Sequence, residues 1–148
     1  RFFILTEQSL KMSIRTKKKL LLLFIDMDNL KWINDHYGHN EGDQALIDVA
    51  NILRKSFRES DIIARIGGDE FVVLSESADE TSEILTHRLH ENLRDHNAKR
   101  SRRYALSISV GRAQFDPDHP ISIDELLAKA DASMYAQKRR KLKAASPS

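Results

Sequence analysis

Read for its apolar and polar positions, the chain divides into periodic segments joined by polar breaks. The run Leu20-Leu21-Leu22-Leu23-Phe24-Ile25 has no alternation, as expected of a strand covered on both faces. It ends in Asp26-Met27-Asp28, so charge appears where a central strand should emerge from the core. Before it, Phe2, Phe3, Leu5, Leu10 and Met12 lie among polar residues and predict an amphipathic helix over 1–19. Lys17-Lys18-Lys19 closes that helix, favourably placed against its C-terminus. After the strand, a short helix is expected over 29–34 and a loop at Tyr37-Gly38-His39. A longer helix follows from Asn40, with Ala45, Leu46, Val49, Ala50, Leu53 and Phe57 on one face.

Two runs of β-forming residues, 61–64 and 72–74, flank Gly67-Gly68. This predicts a hairpin over 62–74 whose turn uses the glycines for positive φ. Ser77-x-x-Glu80 reads as a capping box for a helix striped with Leu85, Leu89 and Leu93. Residues 96–103 are polar and basic, a loop. Tyr104, Leu106, Ile108 and Val110 then alternate with Ala105, Ser107 and Ser109, the pattern of a half-buried strand. Asp116-Pro117-Asp118-His119-Pro120 breaks the chain, and Ser122-x-x-Glu125 caps a last helix carrying Ile123, Leu126, Leu127, Ala130 and Met134. Residues 141–148 show no apolar period and are expected to fray. The predicted fold class is α+β, a central, mostly antiparallel sheet flanked by helices. The functional domain is expected over 20–140.

Composition narrows the function classes. A chain of 148 residues builds one domain with a real core rather than two. Apolar residues at 41% and charged residues at 31% describe a globular protein. The 24 basic and 22 acidic residues leave +2, so no global field favours nucleic acid or a membrane surface, and neither is expected as a partner. Without cysteine there is no disulfide, thiolate nucleophile or thiolate metal site, which fits a reducing, cytoplasmic compartment. The apolar run over 20–25 falls far short of the ~20 residues that span a bilayer. No signal peptide is visible, and a chain opening on Arg1 is expected to belong to something longer, whose parent could carry a membrane anchor.

The candidate chemistry is acidic. Asp26 ends one predicted strand and Asp69 begins another. If those strands are neighbours, both carboxylates meet at one sheet edge and can share a hard cation such as Mg2+ or Mn2+, which keeps other positions for water and phosphate. Either acid alone reads more simply as a strand-end cap, and Gly67-Gly68 with two acids as a solvated turn. Asp69 and Glu70 are adjacent, so on a regular strand they face opposite ways, and only a bend at the tip lets both serve one site.

The letters Gly67-Gly68-Asp69-Glu70-Phe71 resemble the signature of the GGDEF family of diguanylate cyclases. The resemblance extends through Asp26-Met27-Asp28-Asn29-Leu30-Lys31-Trp32-Ile33-Asn34-Asp35, Gly38-His39-Asn40-Glu41-Gly42-Asp43 and 130–138, covering most of the chain. It implies a palm-like nucleotide cyclase architecture and condensation of two GTP to cyclic di-GMP by a homodimer. It also implies that Asp26, the Met27 carbonyl and Asp69 ligate the metal. Asn29 and Leu30 would offer backbone N–H groups, and Lys31 and Lys138 charge, to the triphosphate. Asn34 and Asp43 would hold guanine, with His39 close by, and Asp69 or Glu70 would assist deprotonation of the 3′-hydroxyl. Guanine presents adjacent N1–H and N2–H donors, which suits a carboxylate. Helix capping is the plainer reading of Asn34 and of Asn40-x-x-Asp43. Arg58-x-x-Asp61 resembles the family's inhibitory site for cyclic di-GMP, against a surface ion pair worth under ~1 kcal/mol.

Two departures stand out. The family's opening Asp-x-Leu-Thr-Gly-Leu-x-Asn-Arg segment is represented only by Arg1-Phe2-Phe3, and its Gly-Arg-Asn after the lysine is replaced by Lys141-Leu142-Lys143. Arg140, Lys141 or Lys143 is expected to supply the missing phosphate charge. Three alternatives to a cyclase remain: a non-catalytic receptor for GTP or cyclic di-GMP, a palm-type nucleotidyl transferase or adenylyl cyclase, and a protein-interaction module.

Overall fold

The computed structural model describes residues 2–76 and 81–145. In chain order the elements are α1 (Phe2–Thr16), β1 (Leu20–Met27), α2 (Leu30–Tyr37), α3 (His39–Ser56), β2 (Ile62–Arg65), β3 (Glu70–Glu76), α4 (Thr81–Ala98), β4 (Ile108–Phe115) and α5 (Ile123–Ala145). The sheet has the order β2-β3-β1-β4, and every neighbouring pair is antiparallel.

β1 is buried along its whole length, as its unbroken apolar run requires. Its alternate residues feed two cores. Leu21, Leu23, Ile25 and Met27 pack with Ile33, Val49, Leu53 and Leu89, so α2, α3 and α4 cover one face. Leu20, Leu22 and Phe24 pack with Leu10, Leu126, Ala130 and Met134, so α1 and α5 cover the other. The period of two then puts Asp26 on the α5 face, opposite its register partner Glu70.

Several expectations shift in detail. The predicted strand over 104–110 lies at Ile108–Phe115. β1 ends at Met27, which pairs with Ile108, so earlier residues have no strand beside them. Asn97 takes both backbone groups of Leu106 with its side-chain amide instead. The loop at 37–39 shrinks to Gly38, whose φ of 91° joins α2 directly to α3. Asn40 and Asp43 therefore lie within α3 rather than capping it, and no side-chain cap bond forms at its start.

In α1 the buried positions are Thr6, Leu10 and Ser13, whereas Phe3, Leu5 and Met12 are exposed. The helix packs on β2 and α5 through its less apolar stripe. Ser122 caps α5 as expected, its hydroxyl accepting the Glu125 N–H at 3.1 Å. α5 is helical to Ala145, past Lys141, whose ammonium is tied to Asp28 and to the Ile108 carbonyl, and the rest of the expected tail, 146–148, lies outside the described residues. The capping box at Ser77 and Glu80 lies outside the described residues.

Candidate active site

The C-terminal end of β1, the N-terminal end of β3 and the last turns of α5 meet at one edge of the sheet. Antiparallel register sets Asp26 against Glu70, and the Met27 N–H donates to the Asp69 carbonyl at 3.1 Å. The expected convergence of Asp26 and Asp69 is therefore present. Their charges interact. Burial first, and Asp69 second, push the Asp26 carboxyl up to about 6 against the pull of Lys138. Glu70 is likewise raised, by burial and by the charges of Asp69 and Asp131.

The hairpin tip differs from a two-residue turn. Ile66 to Asp69 connects β2 to β3, with the Ile66 N–H donating to the Glu70 carbonyl at 3.0 Å. Among the described residues only Gly38 is a glycine at positive φ, so Gly67 and Gly68 serve another purpose. A Cβ on Gly67 would stand 2.5 Å from Glu70 Oε1, so its absence lets the glutamate fold back over the tip. Gly68 faces open space, where another molecule can approach backbone closely. The Arg65 guanidinium pins the tip by donating to the carbonyls of Gly67 at 3.1 Å and Gly68 at 2.7 Å.

Lys138 reaches into the acid group from α5. Its Nζ lies 2.6 Å from Asp26 Oδ2 and 3.4 Å from the Met27 carbonyl. Asp26 Oδ1 is buried and has no hydrogen-bond partner among the described residues. An orphaned carboxylate oxygen is costly, and a cation relieves it. Two carboxylates and a backbone carbonyl form a hard donor set that suits Mg2+ or Mn2+. Among the described residues no cluster of three or more His, Cys, Asp or Glu side chains forms a closed metal cage. A cation held by these two acids and the carbonyl would take its other ligands from water or phosphate oxygens.

Asp28 carried no assigned role in the sequence, yet it is the best-anchored acid of the group. It accepts from the hydroxyls of Ser107 and Ser109, each at 2.6 Å, and from Lys141 at 2.9 Å. Burial pushes its carboxyl up, but these donors outweigh it and hold it below its ordinary range. The spacing of Asp26 and Asp28, and of Ser107 and Ser109, is the signal that could have shown this, since residues two apart share a strand face. Lys141, one of the cations expected to meet phosphate, is paired with Asp28 here.

The remaining expected residues are spread around this centre. Asn29 precedes α2 and donates to the Ala105 carbonyl at 3.0 Å, leaving the N–H groups of the first helical turn directed out of the helix start. Leu30 begins that turn. Lys31 points to solvent and pairs with Asp35 at 3.1 Å instead of meeting the acids. Asn34 lies over Gly42, where a Cβ would stand 1.7 Å from its Oδ1. Asp43, next in α3, lines a cavity of about 530 Å³ with Leu46, Ala50, Arg65 and Phe71. His39 is exposed at the start of α3. Arg58 and Asp61 form a separate turn before β2. The Arg58 N–H and the Ser75 hydroxyl donate to Asp61 at 2.9 and 2.8 Å, and the Arg58 guanidinium, mostly exposed, reaches the Glu76 carbonyl at 3.3 Å.

An antiparallel sheet flanked by helices, with an acid pair and a lysine at one edge beside an open backbone tip, is a palm-like α+β fold. The chain belongs to the GGDEF family, whose model, described as "Diguanylate cyclase, GGDEF domain", matches residues 1–143. It is 38% identical to the diguanylate cyclase DgcP of Escherichia coli over 129 residues, covering 84% of this chain and 37% of DgcP. The GGDEF domain of TpbB (YfiN) from Pseudomonas aeruginosa has a similar structure, with a TM-score of 0.82 at 31% identity, covering 94% of this chain and 82% of that one. So does the GGDEF domain of DgcB from Caulobacter crescentus, solved in complex with c-di-GMP (TM-score 0.77, 26% identity, 90% of this chain and 80% of that one). The chain spans 16–37% of the length of the curated relatives it matches.

Proposed function

We propose that this domain is a diguanylate cyclase, condensing two GTP into cyclic di-GMP with release of two pyrophosphates. The observation that carries the reading is the meeting of Asp26 and Asp69 beside Lys138, with a buried Asp26 oxygen left without a donor. In each step a 3′-oxygen of one nucleotide bonds to the α-phosphorus of the other. The bond to pyrophosphate breaks, and the hydroxyl proton passes to Asp69 or Glu70. The raised Glu70 carboxyl suits it to accept a proton. Asp26, the Met27 carbonyl and Asp69 would hold Mg2+ or Mn2+, a Lewis acid that neutralises charge on phosphate oxygens.

This chain's own groups orient the substrate. The N–H groups at Asn29 and Leu30 favour phosphate oxygens at a helix start. Asn34 and Asp43 take the guanine edge, with His39 beside them. Asp43 supports a GTP-only enzyme, because adenine has an acceptor at N1 and would leave a carboxylate unpaired. Lys31, with its side chain 92% exposed, can leave Asp35 for a phosphate at little cost. One domain presents one GTP, so two domains must face each other, and proximity supplies much of the acceleration.

Cyclic di-GMP would return to Arg58 and Asp61 as a feedback ligand, with the exposed guanidinium as the gripping arm and Asp61 as the acid that shapes the turn. Chromatography of products after incubation with GTP and Mg2+ or Mn2+, beside Asp69→Ala, tests the activity. Cyclic di-GMP from the wild type alone supports it, and GTP left intact by both proteins rejects it. Equal inhibition of wild type and Arg58→Ala by added cyclic di-GMP rejects the feedback site.

A further inference from the structure

The ammonium of Lys138 sits on two of the oxygens assigned to the metal. Its Nζ is 2.6 Å from Asp26 Oδ2 and 3.4 Å from the Met27 carbonyl, and both paired side chains are largely shielded from water, at 26% and 12% exposure. Carboxylates crowded as Asp26, Asp69 and Glu70 are here repel one another unless a positive charge stands among them. Lys138 is that charge. The neighbouring cation, Lys141, is committed to Asp28 and the Ile108 carbonyl. α5 itself is fastened to β4, with Gln137 accepting the Val110 N–H at 2.6 Å and Ser133 the Arg112 N–H at 3.1 Å. Any exchange at this site is therefore a movement of the Lys138 side chain, whose four-carbon stem is flexible, and not of the helix.

Resting on the cyclase reading, we propose that Lys138 is a resident placeholder for the divalent cation. It competes with the cation for the Asp26 carboxylate and the Met27 carbonyl, and yields when the nucleotide's phosphates offer its ammonium another anionic partner. Two consequences follow from linkage. The cation alone binds weakly, because it must strip a charge-assisted hydrogen bond from a shielded pair. Cation and nucleotide bind cooperatively, and part of that coupling passes through Lys138.

The test is Mn2+ binding to the whole chain, followed by electron paramagnetic resonance. Wild type, Lys138→Met and Lys138→Arg are titrated with Mn2+ alone and with guanosine 5′-(α,β-methylene)triphosphate, which cannot release pyrophosphate. Lys138→Met is expected to bind Mn2+ alone roughly tenfold tighter than wild type, since a hydrogen bond to a charged group is worth that much or more. The nucleotide should raise its Mn2+ affinity by a smaller factor than in wild type, while Lys138→Arg stays close to wild type. Circular dichroism checks folding, and Lys138→Gln supplies the same comparison if the Met variant does not fold. Equal affinity for Mn2+ alone in wild type and the neutral variants overturns the proposal. If wild type still makes cyclic di-GMP, the cyclase reading survives that result. No Mn2+ binding by any of the proteins, with or without nucleotide, overturns both.

Discussion

At Gly42 the difference between glycine and alanine is one methyl group, and here it would stand 1.7 Å from Asn34 Oδ1. The atom it meets is the end of a side chain, so the chain should fold while the Asn34 amide is displaced. Gly42→Ala is therefore expected to raise the KM for GTP about tenfold, the worth of one good hydrogen bond in a shielded site, with little change in melting temperature. Steady-state kinetics and a thermal melt check both halves. Neither the Gly-His-x-x-Gly-Asp letters nor helical periodicity shows that contact, because it joins the end of α2 to α3 across the bend at Gly38.

Asp26 gives a pH prediction at the same scale. Its folded-state value of about 6 stands above its ordinary 3.8. The folded protein thus binds a proton that the unfolded chain has already released between those values. The associated stability is fully present below about 3.8 and is lost as pH rises toward 6. Wild type without metal should lose stability over that window relative to Asp26→Asn, which cannot titrate. Denaturant unfolding at pH 4 and pH 7, wild type beside variant, reads the difference, and parallel curves would contradict it. Asp26 was legible as a candidate from its place at the end of an apolar run. Its raised carboxyl was not, because that depends on burial and on Asp69, which is remote in the chain.

Among elements, β4 is one whose ends the sequence misplaced. β4 is an edge strand, and unpaired edge groups need cover. α5 provides it through Gln137, Ser133 and Lys141, which bond to backbone groups of Val110, Arg112 and Ile108. This close approach is possible because Gly111 has no side chain. A Cβ there would meet the Ala130 carbonyl and the Met134 nitrogen at 2.1 Å, and backbone cannot step aside. Gly111→Ala is expected to cost about 3 kcal/mol by overpacking, visible as a lowered denaturation midpoint with unchanged slope. The alternation that suggested a strand over 104–110 gave the right element type but the wrong ends. The residues after Val110 belong to the strand because β1 lies beside them, and Leu106 does not because Asn97 holds its backbone.

Ser109→Ala belongs to the same scale. It removes the donor to Asp28 Oδ1, so the Asp28 carboxyl should titrate higher, as a carboxyl-carbon NMR titration would record. The link from β1 to α2, which carries Asp28, is anchored at that point.

For the whole molecule, the proposed half-site makes a kinetic prediction. If two domains must meet to join two nucleotides, the rate per protein molecule should rise with protein concentration in the dilute range and then level off. A rate per molecule that stays constant under dilution, down to nanomolar protein, would contradict the facing arrangement. Among the described residues no helix is long and apolar enough to cross a membrane.

The order of elements, the α+β class and the apolar faces of α3, α4 and α5 followed from periodicity alone, because burial of one helical stripe or one strand face is a local pattern. The family was legible too, through short motifs whose letters survive without any knowledge of contacts. Tertiary structure alone decided which charges meet. Antiparallel register brought residues 26 and 69 to one edge, turned Lys138 onto Asp26 and Lys31 away from it, and gave Asp28 its anchors in β4 and α5. Pairings between positions tens of residues apart leave no period in the chain, since they are fixed by how sheet and helices pack.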